Sequence, residues 1–346
     1  MLINKKSPHG GDIYTNHVRL DYSANINPAG MPEKVRQALM RAAENCSAYP
    51  DPYCTELRKR IAEAERVSED GILCGNGAAE LIYQFAYTLP KGKPALIIEP
   101  AFCEYENALQ AAGIGAEHYI LTEDTGFRLT EEFLRIDFSR YCAMFVCSPN
   151  NPTGITVDPG LIQALAGTGI RLFCDFCFLD LTGNPERYDL PALIRTYPNL
   201  TVLRAFTKSY AMAGVRLGYV LCGDMDFLMD MSEKAQCWNV STLAQAAGIA
   251  ALDCADWLRD SVMGISEERR HMTEELTRLG IRVYPGEANY LLLYADVNLN
   301  ERLMERGIMV RDCSNYIGLG RGYVRVAVRT PEENEQLLAE MREVML

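Results

Sequence analysis

TVLRAFTKSYAMAGVRLGYV, residues 201–220, is the stretch whose reading decides the fold. The apolar run from Thr201 to Phe206 reads as a buried strand that delivers a Thr-Lys-Ser triplet to its end, and LGYVLCG after AMAGVR reads as a second strand. In open α/β sheets ligands collect outside strand ends, and a lysine held in such a crevice is desolvated, loses its proton and becomes a carbonyl nucleophile. Taken alone, Lys208 reads better as a helix cap or a side chain snorkelling to water. Its neighbours have to decide.

Working outward, strand and helix signals alternate. PALIIE, AEHYIL, AMFVCS, RLFCDF, TVLRAF and GYVLC are strand-like, with polar or helical stretches between most of them, which predicts a mostly parallel sheet covered on both faces. ILCGNG is a strand running into a glycine-bearing turn. The helix expected after it, AAELIYQFAYTL, would leave free N–H groups at Gly77, Ala78 and Ala79 to hold a phosphate. Helices are also expected over 32–44 and 56–66. After about Met225 the pattern becomes helical over 225–258 and 266–279, then gives short strands IRVYP, YLLLY and YVRVAV and a closing helix over 332–344. The expected organisation is an N-terminal arm (1–31), a large domain (32–240) and a smaller C-terminal α/β domain (241–346).

The bulk properties agree with an ordinary globular protein. A chain of 346 residues can bury a sizeable core and divides readily into two domains. With 48% apolar and 23% charged residues, disorder is not expected, and a net charge of -12 argues against a general binder of nucleic acid or anionic membrane. It leaves room for an anionic small substrate, because local arginines reverse the field inside a pocket. The start, MLINKKSPHGG, lacks the apolar core of a signal peptide, and no apolar run reaches the ~20 residues of a membrane span. A cytoplasmic protein is expected. Twelve scattered cysteines suit a reducing compartment, and Cys174 and Cys177, though spaced CxxC, alternate to opposite faces of a strand and are read as structural thiols, with no metal.

Four features fall at strand ends in chain order: GNGAAE at 75–80, SPNNPTG at 148–154, Asp175 in CDFCF, and Lys208 with Arg216. Singly, Asp175 reads as a helix cap and Asn151 as a turn former. Together they match what pyridoxal phosphate requires: an amine for the aldehyde, an acid to keep the pyridine nitrogen protonated, and N–H groups with a cation for the phosphate. At this point the chain resembles the fold type I enzymes of the class I/II aminotransferase family over essentially its whole length, with SPNNPTG and TKSYAMAGVRLGY as the specific motifs. The resemblance implies a large domain built on a mostly parallel seven-stranded sheet between helices. It makes Lys208 the Schiff-base lysine and proton carrier, Asp175 the partner of the pyridine nitrogen, and Asn151 a donor to the ring's 3-oxygen. Gly77, Ala78, Thr207 and Arg216 would hold the phosphate, and Phe102 would stack on the ring. Tyr49, in YPDP, would reach a phosphate in the neighbouring subunit, implying a homodimer with shared sites. Many relatives carry tyrosine where this chain has Phe178, so one bond to the 3-oxygen is absent, and Phe176 and Cys177 replace the Glu-Ala pair of close relatives.

The fold does not choose the reaction. The bond at the substrate Cα that stands perpendicular to the ring breaks, so the orientation of the carboxylate separates decarboxylation from transamination. HGGDIY, DYSANINPAGMP, QCWNVSTLAQAAG and RDCSNYIGLGRGYVRVAVRT resemble the threonine-phosphate decarboxylases of cobalamin biosynthesis, as does Phe178. That resemblance implies decarboxylation of O-phospho-L-threonine or a similar phosphorylated amino acid such as phosphoserine, with His9 and Arg311 on the substrate phosphate and Arg325 on phosphate or carboxylate. A dianionic phosphate calls for several charge-assisted donors, and arginine grips it in a fork. The alternatives are an aminotransferase of the histidinol-phosphate type and, more remotely, a non-catalytic ligand-binding relative. Nine residues separate Gly11 from Asp21, a shorter arm than those decarboxylases usually carry.

Overall fold

The computed structural model describes residues 9–346. The N-terminal reading of residues 1–8, including their part of the arm, lies outside the described residues.

Strand β1 (Leu20–Asp21) is followed by the helices Glu33–Ala42 and Thr55–Glu65. The central sheet comprises β2 (Ile72–Gly75), β3 (Ala95–Glu99), β4 (Ala116–Ile120), β5 (Ala143–Cys147), β6 (Arg171–Asp175), β7 (Leu200–Ala205) and β8 (Gly218–Cys222), in the order β2-β8-β7-β6-β5-β3-β4. All its pairings are parallel except those that β8 makes with β2 and β7. Side chains alternate between the faces as strand geometry requires. Leu172, Cys174 and Val202 enter one core with the helices that carry Leu57, Leu161 and Ala247, while Phe173 and Leu203 enter another with Phe85 and Phe145. Each fully buried phenylalanine in these layers contributes about 1.5–3 kcal/mol relative to exposure. Cys174 and Cys177 fall in different cores, as their alternation predicts.

A four-stranded antiparallel sheet, β9 (Arg282–Tyr284), β10 (Tyr290–Tyr294), β12 (Arg311–Asp312) and β13 (Tyr323–Ala327), organises the C-terminal part, in the order β12-β13-β10-β9. The strand β11 (Ile308–Met309) pairs in parallel with β1, and Tyr22 is buried among Leu291, Val326 and Leu337, so the N-terminal segment packs into the C-terminal core. The two helical runs expected over 225–258 and 266–279 are corrected to three helices, Met225–Ser232, Thr242–Leu252 and Ala255–Arg278. Trp238 breaks the first run with a left-handed φ of 57°, and the Ser241 hydroxyl caps the next helix by accepting from the Ala244 N–H at 3.1 Å. The last helix runs unbroken through Gly264, because Val262, Ile265, Met272 and Leu276 all bury on its inner side.

Register explains why four distant motifs meet. Strands β5, β6 and β7 are parallel, so SPNN, Asp175 and FTKS leave the same edge side by side. Antiparallel β8 begins at that edge, where Gly218 faces Gly75 on one side and Ala205 on the other. This brings GNGAAE and Arg216 to the lysine. A Cβ at Gly218 would lie 3.0 Å from the Ala78 nitrogen, so glycine there lets the helix Gly77–Thr88 begin against the sheet.

The SPNNPTG turn is closed from the C-terminal part of the chain. Gly154 has φ +74°, its carbonyl accepts from the Glu287 N–H at 2.7 Å, and a Cβ on it would lie 3.1 Å from the Gly286 Cα. Gly154→Ala is therefore expected to lower the unfolding free energy by about 1–3 kcal/mol, measured by urea denaturation. An unchanged midpoint would show that the turn does not need its glycine.

Candidate active site

All the candidate residues except Gly77 and Tyr49 line one cavity of about 250 Å³ at the sheet edge. Gly77 immediately precedes Ala78 of that lining. Tyr49 is 78% exposed and stacks on Trp238 with ring centroids 4.3 Å apart, so this chain does not bring it to its own cavity.

Lys208 sits in the short helical turn Phe206–Ser209 immediately after β7. The Asn27 N–H donates to the Lys208 carbonyl at 3.1 Å, and the Asn27 amide donates to the Ser209 carbonyl at 2.8 Å. Burial, reinforced by the charges of Arg325 and Arg216, lowers the amine's pKa from 10.5 to about 8. A shift of that size raises the neutral fraction at neutral pH by roughly a hundredfold or more.

Asp175 is 7% exposed, and each of its oxygens is held. The Tyr105 hydroxyl donates to Oδ2 at 2.6 Å and the Cys177 N–H donates to Oδ1 at 2.9 Å. Burial and the neighbouring carboxylate push the Tyr105 phenol well above its ordinary value, so it remains a donor. Asn151 is oriented in the same way. Its Oδ1 accepts from Arg325 and from the Tyr316 hydroxyl, the latter at 3.3 Å, which turns the amide nitrogen toward other acceptors.

Arg216, at φ 61°, lays its guanidinium over the glycine turn: a Cβ at Gly77, itself at φ +78°, would lie 2.5 Å from Arg216 Nη2. Glycine thus leaves a cradle beside the start of the helix Gly77–Thr88, where N–H groups and a cation converge. Thr207 and Ala78 face the same space. At the other end, Arg311 and Arg325 are direct cross-strand partners on β12 and β13. Like charges opposed in this way destabilise a strand pair unless an anion relieves them. The Arg311 guanidinium lies 4.9 Å from the Tyr316 ring centre and donates to Asn315 Oδ1 at 2.9 Å, while Arg325 donates to the Ser23 carbonyl at 2.6 Å. His9 Nε2 is 2.9 Å from Glu104 Oε1, with its ring 5.5 Å from that of Phe102.

The sequence reading missed Tyr105, Tyr316 and Asn25. Tyr105 stands three residues after Phe102 in PAFCEY, and Tyr316 lies in a quoted segment, but neither spacing shows what the hydroxyl will meet. Asn25, in SANINP, lines the cavity at 2% exposure with neither side-chain polar atom hydrogen-bonded among the described residues. Phe178 packs edge-on against Tyr290 at 5.0 Å and supplies no hydroxyl.

These residues fit pyridoxal phosphate. The cradle that a Cβ would fill, the doubly held buried carboxylate and the amine of lowered pKa are the three things the group demands. The family model for aminotransferase class I and II matches residues 19–341. Threonine-phosphate decarboxylase of Salmonella typhimurium is 37% identical, covering 98% of this chain and 97% of its own length. Among solved structures, histidinol-phosphate aminotransferase from Clostridium acetobutylicum superposes with a TM-score of 0.88 at 29% identity, covering 94% of this chain and 99% of that one. L-threonine-O-3-phosphate decarboxylase from Porphyromonas gingivalis gives 0.83 at 25% identity, with 94% and 99% covered.

Gly77→Ala strains a left-handed position and displaces the Arg216 guanidinium. Affinity of the apoprotein for pyridoxal phosphate is expected to fall about tenfold or more, measured by fluorescence titration, and wild-type affinity would refute the cradle.

Proposed function

The chain belongs to the aminotransferase class I and II family, and we propose that it is a pyridoxal phosphate-dependent decarboxylase of O-phospho-L-threonine or a closely similar phosphorylated amino acid, releasing the phosphorylated amino alcohol. The observation that carries this reading is the pair of opposed arginines, Arg311 and Arg325, lining a cavity whose far end holds Lys208 and Asp175. Two cations there suit a substrate with two anionic groups. The likeness to threonine-phosphate decarboxylases over nearly the whole chain supports the same choice.

Pyridoxal phosphate, when bound, supplies the electron sink into which a bond at the substrate Cα breaks. Arg216, Thr207, Gly77 and Ala78 would hold its phosphate, Phe102 and Asn151 would set the ring, and Asp175 would keep a proton on the pyridine nitrogen. Lys208, its pKa lowered to about 8 by burial, would hold the cofactor through its aldehyde and return a proton to the substrate Cα. Arg311 and His9 would grip the substrate phosphate. Asn25, whose buried amide has no hydrogen-bond partner among the described residues, would offer both a donor and an acceptor to the same substrate. Binding that remote phosphate would supply free energy for orienting the substrate carboxylate for loss as carbon dioxide.

A homodimer is part of this reading. Tyr49 is exposed on its own chain and stacked on Trp238, and in such a dimer it would reach the second copy's phosphate site. No helix among the described residues is long and apolar enough to cross a membrane, and the scattered thiols support a place in the cytoplasm. A second reading, an aminotransferase of the histidinol-phosphate type, draws on the higher TM-score of 0.88 to such an enzyme.

Carbon dioxide release from phosphothreonine decides between them. The holoenzyme is expected to release it stoichiometrically with the amino alcohol phosphate, with phosphoserine assayed in parallel. Transfer of the amino group to 2-oxoglutarate without carbon dioxide would establish the second reading instead.

A further inference from the structure

Beneath the lysine turn lies a charged cluster that the chemistry above does not use. Arg204, on β7 four residues before Lys208, is 8% exposed. Because it alternates with Leu203 and Ala205, its side chain leaves the sheet on the face of Val202, away from the cofactor cavity. Its Nη2 donates to Asp180 Oδ1 at 2.6 Å and lies 3.4 Å from Glu65 Oε1, which also accepts from the Tyr219 hydroxyl. Asp180 belongs to the turn Leu179–Leu181, five residues beyond Asp175, and its second oxygen accepts from the Ser209 hydroxyl at 3.2 Å. Ser209 is fully buried and adjoins Lys208.

The cluster therefore joins the segment that follows Asp175 to the turn that carries Lys208. Arg204 is buried while Asp180 and Glu65 are partly buried, and apolar replacements of ion pairs taken out of water are often neutral or stabilising. Stability alone does not account for their presence. What they supply is a fixed distance between two strand ends, and those ends hold the two groups that must engage opposite sides of one cofactor.

We propose that Asp180 is a positioning residue: held by Arg204 at one oxygen and Ser209 at the other, its carboxylate fixes the lysine-bearing turn against the strand end that carries Asp175. The proposal rests on the reading of the cavity as a pyridoxal phosphate site and is independent of which substrate is used. Asp180→Asn keeps the shape and removes the charge that Arg204 and Ser209 both address.

The test is equilibrium binding of two cofactor forms to the apoprotein. Pyridoxal phosphate bonds covalently to the lysine amine, whereas pyridoxamine 5′-phosphate occupies the same cradle without that bond. In Asp180→Asn, affinity for the aldehyde form is expected to fall about tenfold, with the amine form changed less than about twofold. Equal weakening of both forms would reveal a merely structural residue, and unchanged binding of both would equally overturn the proposal. Ser209→Ala leaves the Arg204–Asp180 pair intact, so it keeps the test open if Asp180→Asn fails to fold. The same selective loss is expected in it, about threefold, and its absence counts against the proposal. Wild-type apoprotein that binds neither form would overturn the cofactor reading and the proposal with it.

Discussion

An amine buried among guanidinium groups is driven toward its neutral form, and the rest of this structure is arranged around that constraint. Arg216 holds one side of the cavity and Arg325 the other, each disfavouring a charged Lys208, while burial supplies the largest part of the effect. The same arginines that disfavour the ammonium are the groups suited to anions. One distribution of charge thus serves two ends, a reactive amine and a receptive pocket. The balancing acid, Asp175, is kept in place by Tyr105 and a backbone N–H rather than by pairing with the lysine. A direct lysine–aspartate bridge would have favoured the protonated amine and removed its reactivity.

Topology supplies the convergence. Parallel strands deliver Asn151, Asp175 and Lys208 to one edge, and the single reversed strand, β8, returns the chain so that Arg216 and the glycine turn meet there. The C-terminal sheet closes the site from above with two opposed arginines, and the N-terminal segment crosses to join it through β1 and Tyr22. Residues at both ends of the chain therefore meet those in its middle. A pocket built in this way brings the arginines of the C-terminal sheet to Asp175 and Lys208 at the edge of the central sheet, so their relative placement depends on contacts such as that of Arg325 with Asn151 and with the Ser23 carbonyl.

Much of this was legible in the sequence because strand ends and turns carry local signals. The apolar run before Lys208, the glycines of GNGAAE and the Asn-Pro-rich turn each announce their backbone geometry, and the central sheet follows from their alternation with helical stretches. Other features depend on contacts between distant residues and leave no local mark. Nothing local in PAFCEY announces that the Tyr105 hydroxyl meets Asp175, and nothing in SANINP announces that the Asn25 amide is buried without a hydrogen bond among the described residues. The sequence reading ends one helical run at 258 and begins another at 266, whereas the helix Ala255–Arg278 spans both, its continuity decided by burial of Val262 and Ile265. The opposed register of Arg311 and Arg325 likewise depends on strand pairing across an intervening loop.

The central claim concerns the ionisation of Lys208, and it is most directly tested on that amine. The rate at which Lys208 of the apoprotein is acylated, followed by mass spectrometry as pH is raised, reports its neutral fraction. A lowered pKa means that the reactive form is gained as pH passes about 8. The account predicts a midpoint there, and a midpoint near the ordinary 10.5 would contradict it.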